Sequence, residues 1–463
     1  MTKNPLNPRL HKPALKAVPA ALLGLLGCSL AQAAGFQLLE QNASGIGTAY
    51  AGSAAVADNA STIYFNPAGM TELRDREISL GGSLVGASAK FHDRGSAVDT
   101  LAGSGNGGNA GTTNLVPNAY LSWKLADRLW GGLGLSVPFG LRTEYDSRWV
   151  GAAHAIHFDV KTLNINPSLA FKVDDTLSLG AGLNYQRMSA DYLRGISTQP
   201  LPVAPGVVLP LNTSTVLFRA NDWSWGWNVG ALFKPSADTR IGVSYRSAIK
   251  HTLSGDLRTY SPGAPAPLAQ AVGSIGNSDA YTRIKLPETL IASVAQRLSS
   301  QWEVLGDVSW TRWNDIQDVK LVRSTSVARP VSPSGAAGGT AQTLEADFRN
   351  SWRVALGANY TLNSAWTLKG GLAFDRTPVQ GAATTLVSLP DANRTWLSAG
   401  AQWRPSTDSR VDFGVAYIFM KDADINNNQS PTGTPPVVPS RGTVNGSYDN
   451  RIWLLGVQYS QAF

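Results

Sequence analysis

The groups able to do chemistry in this 463-residue chain are few. Beyond the first 33 residues the histidines are His92, His154, His157 and His251. His154 and His157 stand three apart, which on a β-strand puts them on opposite faces and argues against a paired metal site. No histidine lies in a motif that would serve a serine nucleophile, so acyl transfer lacks a base. The single cysteine, Cys28, falls in an N-terminal apolar run. If that run is removed, a cysteine nucleophile, a thiolate metal site and a disulfide framework are excluded together. No enzyme, metal or cofactor is therefore expected. What remains is recognition without reaction, plus one stretch with a built-in fault: "LSVPFGL", Leu135–Leu141, where Pro138 and Gly140 interrupt an apolar strand pattern. Proline removes a ladder hydrogen bond, and glycine weakens pairing.

The elements that carry these residues begin with a leader. Lys3, Arg9, Lys12 and Lys16 precede "ALLGLLGCSLA" and then "AQA", Ala31–Ala33. A basic n-region, a short apolar h-region and a small-residue cleavage site make residues 1–33 a secretory signal. "LLGC" offers a competing lipoprotein cleavage box, but Leu26 is unusual in its second-last place. Removing the leader lowers the formal charge from +7 to +3, so a nucleic-acid partner gains no support. No later run approaches the roughly 18 apolar residues of a transmembrane helix.

Periodicity points to strands. In "WEVLGDVSW", Trp302, Val304, Val308 and Trp310 share one parity, while Glu303, Asp307 and Ser309 share the other. "AWTLKGGLAFD" and the C-terminus to Phe463 repeat the alternation, which marks half-buried strands. Fourteen such segments are predicted, near 76–92, 114–125, 128–140, 155–173, 175–190, 216–234, 237–256, 280–298, 300–316, 343–361, 363–377, 392–404, 408–421 and 447–463. Short turns ("ADR", "DD", "PSAD", "SSQ", "LNS", "PSTD") alternate with long loops, as in outer-membrane barrels. Trp123, Trp130, Trp302, Trp366 and Trp403 lie beside predicted short turns, where an aromatic girdle belongs. The fold class read here is all-β: a transmembrane antiparallel β-barrel over residues 74–463. Phe463, ending an alternating strand, resembles the signal read by the barrel-assembly machinery. Residues 34–73, rich in Gly, Ala and Ser, suit a plug folded inside the lumen. Within them Asn66–Pro67 suits a helix start, with asparagine capping and proline in the first turn.

"AGFQLLEQNASGIGTAYAG…NPAGM" resembles the mature N-terminus of the FadL/TodX family of outer-membrane transporters for hydrophobic compounds. The resemblance continues through "VPFGLRTEYDSRWVG", "LPETLIASVAQRLSSQWEVLGDVSWTRW", "WRVALGANYTLNSAWTLKGGLAFDRTPV" and "LPDANRTWLSAGAQW". It implies a fourteen-stranded barrel with an N-terminal hatch in a Gram-negative outer membrane, working as a monomer among outer-membrane lipid and lipopolysaccharide. It also implies capture of ligand on two long loops, a tighter site near the N-terminus, hatch movement, and lateral exit beside a kinked third strand.

Residue by residue, the resemblance assigns ligand contact to Phe36 and the hatch motif to Asn66, Pro67 and Ala68. Its carboxylate-binding arginine falls on Arg194. The serine of that constellation falls on Val137, and its lysine falls on Leu344. Arg142 and Arg349 are candidate substitutes. Pro138, Phe139 and Gly140 occupy the lateral-exit kink. The apolar stretches Leu201–Leu211 and Ser261–Val272 fit the capture step, because exposed apolar patches mark interaction sites; loops packed on one another are the alternative. Arg194 favours a fatty acid. Val137 and Leu344 favour a neutral ligand such as a monoaromatic hydrocarbon.

Overall fold

A computed structural model describes residues 35–330, 333–430 and 440–463. The predicted signal peptide lies outside them. Fourteen strands follow in chain order: β1 Arg76–Asp93, β2 Thr113–Ala126, β3 Leu129–Ser136 resuming at Gly140–Glu144, β4 His157–Lys172 and β5 Leu177–Gly195. β6 Thr215–Ser236, β7 Thr239–Arg246 with Ile249–Tyr260, β8 Ser278–Leu286 with Thr289–Arg297, and β9 Trp302–Thr311 with Asp318–Arg323 come next. β10 Thr340–Glu345 with Ser351–Thr361, β11 Trp366–Asp375, β12 Arg394–Trp403, β13 Ser409–Met420 with Ala423–Asn428, and β14 Thr443–Ala462 complete the set. Neighbours pair antiparallel, and β1 closes on β14 from Glu77↔Ala462 to Asp93↔Gly446. Closure removes the free edge that lipid could not satisfy.

The alternation seen in the sequence sets the two faces of the wall. Leu183, Leu356, Leu372 and Phe419 are each more than half exposed on the outside. Asn164, Gln186, Asp307, Asp412 and Gln458 are buried on the inside. Trp302, Trp366 and Trp403 face outward near the short turns, with Trp366 stacked 6.1 Å from Trp403. Trp130 departs from the expected girdle: it shares parity with the inward residues of β3 and is buried. β5 outruns its expected end near 190 and continues to Gly195, carrying Arg194 above the apolar band. His154 lies in the turn before β4 rather than on the strand, so it and His157 are not two faces of one ladder.

Residues 35–73 fill the lumen. Glu40, Gln41, Ile46, Ile63, Asn66 and Met70 are wholly buried. Bonds from every side hold the segment: Ala43 N–H to Gln458 Oε1 (3.1 Å), Ala54 N–H to Ser293 Oγ (3.0 Å), Ser53 Oγ to Asp307 (2.8 Å) and Lys369 Nζ to Ser44 O (3.1 Å). Asn66 behaves as its sequence position suggested. Its side-chain oxygen accepts from Ala68 N–H at 3.1 Å, Pro67 opens the 3-10 turn Pro67–Glu72, and its Nδ2 donates to Ala231 O of β6 at 2.9 Å. The wall is small where the segment passes; a Cβ at Gly242 would stand 1.9 Å from Ala54 O.

Candidate functional site

The loops after β5 and β7 meet at the long-loop end of the barrel. The hairpin Leu201–Ala204/Val207–Leu209 and the helix Ala266–Gly276 bury Leu209, Leu211 and Val272 against each other. The packed-loop alternative is thus realised in part. Val203, Val207 and Val208 nonetheless stay 41–52% exposed.

Beneath these loops opens a cavity lined by Arg194, Arg323, Arg441, Gln342 and Tyr192, with Leu201, Leu211 and Val272 on its apolar side. Arg194 Nε donates to Gln342 Oε1 at 2.6 Å and Nη1 to Gly195 O at 2.7 Å. Arg323 Nε donates to Ser334 O at 2.9 Å, and Arg441 Nη1 reaches Gln429 O at 3.3 Å. Gln342 Nε2 donates on to the Tyr192 hydroxyl at 3.0 Å. None of the three guanidiniums forms an ion pair with a carboxylate among the described residues. Burial pulls Arg441 below the ordinary guanidinium range. Three partly dehydrated cations sharing a cavity without an anion make a receptor for one.

Tyr192, Phe218 and Leu321 also line a second cavity, so the two adjoin. Its other walls are almost wholly apolar, including Phe158, Met188, Leu253, Ile284 and Leu344. Phe36 forms its floor, 5.1 Å edge-on to Trp313 and 5.8 Å from Phe139 between ring centres. Gly35 holds this floor in place. Its N–H donates to Asp391 at 2.9 Å, its φ is +62°, and a Cβ there would meet the Trp313 ring at 2.8 Å.

The floor rests against the fault in β3. Pairing between β2 and β3 ends at Ala119↔Leu135, and the upper segment Gly140–Glu144 pairs with β4 alone. The N-terminal segment takes the place of β2. Leu38 N–H donates to Pro138 O and Gly140 N–H to Phe36 O, both at 2.8 Å. The Gln41 amide spans Val137 in both directions, Nε2 donating to Val137 O at 2.7 Å and Oε1 accepting from Val137 N–H at 2.9 Å. Tyr120 in turn holds Gln41 O through its hydroxyl at 2.7 Å. The buried backbone groups of Val137, Pro138 and Gly140 are therefore satisfied by the plug, while those of Phe139 bond Thr162 of β4.

Of the residues singled out from sequence, Phe36 and Leu344 line the apolar cavity and Arg194 the charged one. Val137 lines neither; it belongs to the buried cluster that includes Leu38, Ile63 and Tyr120. Arg142 faces outward and pairs with Glu144 at 2.8 Å, while Arg349 meets Thr377 O at 3.4 Å and lines neither cavity. Arg323, Arg441 and Gln41 went unmarked in the sequence reading. The two arginines come from segments far apart in sequence, the end of β9 and the approach to β14, so no local spacing announces them. Gln41 sits within the quoted "FQLLEQN" with nothing local to show its partner.

Comparison with known proteins places the chain among transporters. The profile of the outer membrane protein transport protein family (OMPP1/FadL/TodX) matches residues 24–463. The long-chain fatty acid transport protein of Salmonella typhi is 29% identical over 94% of this chain and 95% of its own. The 47 kDa outer membrane protein of Pasteurella multocida is 31% identical over 84% and 88%. Among solved structures, a Pseudomonas aeruginosa FadL homologue superposes with a TM-score of 0.78 at 23% identity, covering 92% of this chain and 99% of that one.

Proposed function

The chain belongs to the outer membrane protein transport protein family (OMPP1/FadL/TodX), and from that premise we propose that it carries long-chain fatty acids across the outer membrane by passive, ligand-gated diffusion. The observation that carries this reading is the adjacency of two cavities: one holding three arginines without an ion pair among the described residues shares Tyr192, Phe218 and Leu321 with an apolar one. A carboxylate at Arg194, Arg323 and Arg441 forms charge-assisted bonds. Its chain descends along Phe218 and Leu344 to Phe36, gaining about 0.8 kcal/mol for each methylene taken out of water.

Exit follows from what lies below. The cavity next along the lumen places Arg246, Asp307, Arg353 and Asp375 among Leu39, Tyr50, Phe65 and Ile291, so an alkyl chain there would lie against charged groups. Residues 34–73 act as the hatch: their retreat frees Phe36 and unclasps Val137–Gly140. The ligand then leaves sideways between β2 and the upper half of β3. Phe463, 67% exposed and bonded through its N–H to Arg76 O, serves barrel assembly, and the barrel works as a monomer.

Paired uptake of labelled oleate and toluene in a transporter-null strain carrying this chain tests the reading. Oleate uptake is expected. Toluene uptake without oleate uptake would reassign the substrate to monoaromatic hydrocarbons, and free passage of small sugars would indicate a general porin.

A further inference from the structure

The outer face of β5–β8 carries cations that transport does not use. On β5, Arg187 shares the outward parity of Leu179 and Leu183. On β7, Lys250 alternates with the buried Ile249 and His251, and on β8 Arg283 follows the buried Thr282. All three therefore point away from the lumen. Strand register draws them into one patch. Arg187 stands opposite Trp223 of β6, Lys250 opposite Lys285, and Thr252 opposite Arg283. With neighbouring strands about 4.8 Å apart, the patch spans roughly 15 Å.

Its height on the wall is set by the apolar band. On β6 the outward residues Trp223, Trp225, Trp227, Val229 and Phe233 are all exposed, an eleven-residue stretch that matches one membrane crossing. Tyr185 stacks on Trp223 at 4.5 Å. Arg187 stands at the end of this band on the side of the long loops, opposite Trp223, and Lys250 lies one pair inside that end, its carbonyl accepting from Ser224 Oγ at 2.6 Å. That is the depth of lipid headgroups in the outer leaflet.

The neighbouring acids are already engaged. Asp191 pairs with Arg219, Asp256 with Arg258 and Asp315 with Lys285, while Asp222 bonds the inward His251. Arg187 and Lys250 have no ion pair among the described residues, and Arg283 has only the Tyr281 ring, at 5.1 Å. Elsewhere on the rim the outward arginines Arg94, Arg142 and Arg451 each take a carboxylate.

We propose that this face binds the phosphate of a phosphorylated acyl glycolipid of the outer leaflet, lipopolysaccharide, between Arg187, Lys250 and Arg283, with its acyl chains on the Tyr185–Trp223–Trp225 surface. The site is distinct from the lumen and fixes the barrel in its leaflet.

The test is native mass spectrometry of the purified full-length barrel with bisphosphorylated lipid A, dephosphorylated lipid A and phosphatidylglycerol. One bisphosphorylated lipid A should remain bound to the wild type. Each basic side chain beside an anionic lipid contributes about fivefold in affinity. The triple variant Arg187→Gln/Lys250→Gln/Arg283→Gln should therefore bind roughly a hundredfold more weakly, while oleate binding stays intact. Equal retention by the triple variant would overturn the proposal. So would equal retention by the wild type of dephosphorylated lipid A or phosphatidylglycerol, a comparison that needs no variant to fold.

Discussion

Replacing Gln41 by leucine should release the clasp on β3 while keeping the side chain near its present volume. In the closed state the Gln41 amide satisfies both the N–H and the C=O of Val137, at 2.9 and 2.7 Å, inside a wholly buried setting. Leucine leaves both backbone groups without a partner, and each such buried group costs about 1–3 kcal/mol. The closed arrangement of Phe36–Gln41 against Val137–Gly140 should lose at least about 2 kcal/mol, a shift of roughly 30-fold toward the open state. Hydrogen exchange reads this directly, because the N–H groups of Leu38, Val137 and Gly140 are bonded only across this contact. Their protection should fall by that factor, and oleate should leave loaded proteoliposomes faster. Gln41→Glu sharpens the result. It retains an acceptor for Val137 N–H but sets a carboxylate oxygen against Val137 O, so protection should recover on acidification. Wild-type protection and release in Gln41→Leu would refute the clasp.

Other consequences follow from the same geometry. Arg194→Gln should weaken oleate binding about 10- to 100-fold, the value of a charge-assisted bond, and leave methyl oleate unaffected; equal loss for both ligands would remove Arg194 from the headgroup site. A short cross-link between cysteines at Pro117 and Val137, which an unbroken ladder would bring opposite, should abolish uptake while the barrel stays folded; undiminished uptake would make the kink a tolerated irregularity. Phe36→Ala should open the floor between the two lower cavities and raise single-channel ion conductance, checked in planar bilayers. Burial holds His154 down at about 4, and its Nε2 lies 3.0 Å from Gly442 O. The unfolded side chain titrates near 6.5, so the neutral imidazole stabilises the loop cap above that value. The contribution should fade as pH drops from about 6.5 toward 4, seen as faster exchange in residues 151–156 and absent in His154→Phe.

Much of the barrel was legible because its code is short-range. Period two, turn length and terminal aromatics act over a few residues, and they placed all fourteen strands. Trp130 misled because proximity to a short turn says nothing of parity, and parity turns it inward against the plug. The site was legible only where one chemical group announces itself. Phe36 and Arg194, marked through resemblance, each line one of the two cavities. Arg323 and Arg441 carried no such mark, because their meeting with Arg194 depends on how β9 and the loop before β14 curl over the lumen. Val137 was marked for a ligand by alignment to a serine. Its backbone, rather than its side chain, turned out to make the contacts that matter.

The fault in β3 and the polarity of the lumen constrain one another. A closed barrel exposes no edge to lipid, so a missing stretch of ladder is tolerated only if something else satisfies the freed groups. Here the plug does so, through Phe36, Leu38 and Gln41. The same three-residue neighbourhood also forms the floor of the apolar chamber. On the proposed route, ligand movement that displaces Phe36 withdraws bonds from Val137–Gly140, so occupancy of the chamber and opening of the seam are expected to be coupled. Below that floor lie Arg246, Asp307 and Arg353, where an alkyl chain would forfeit the burial gained above. In this proposal the vertical path is uphill for an apolar solute at the point where the lateral one would be released. Moving the polarity boundary tests this coupling: Asp307→Leu with Arg353→Met should let oleate drain downward and make uptake insensitive to the Pro117–Val137 cross-link. Uptake that stays fully blocked by the cross-link in that background would show that seam opening, not lumen polarity, sets the route.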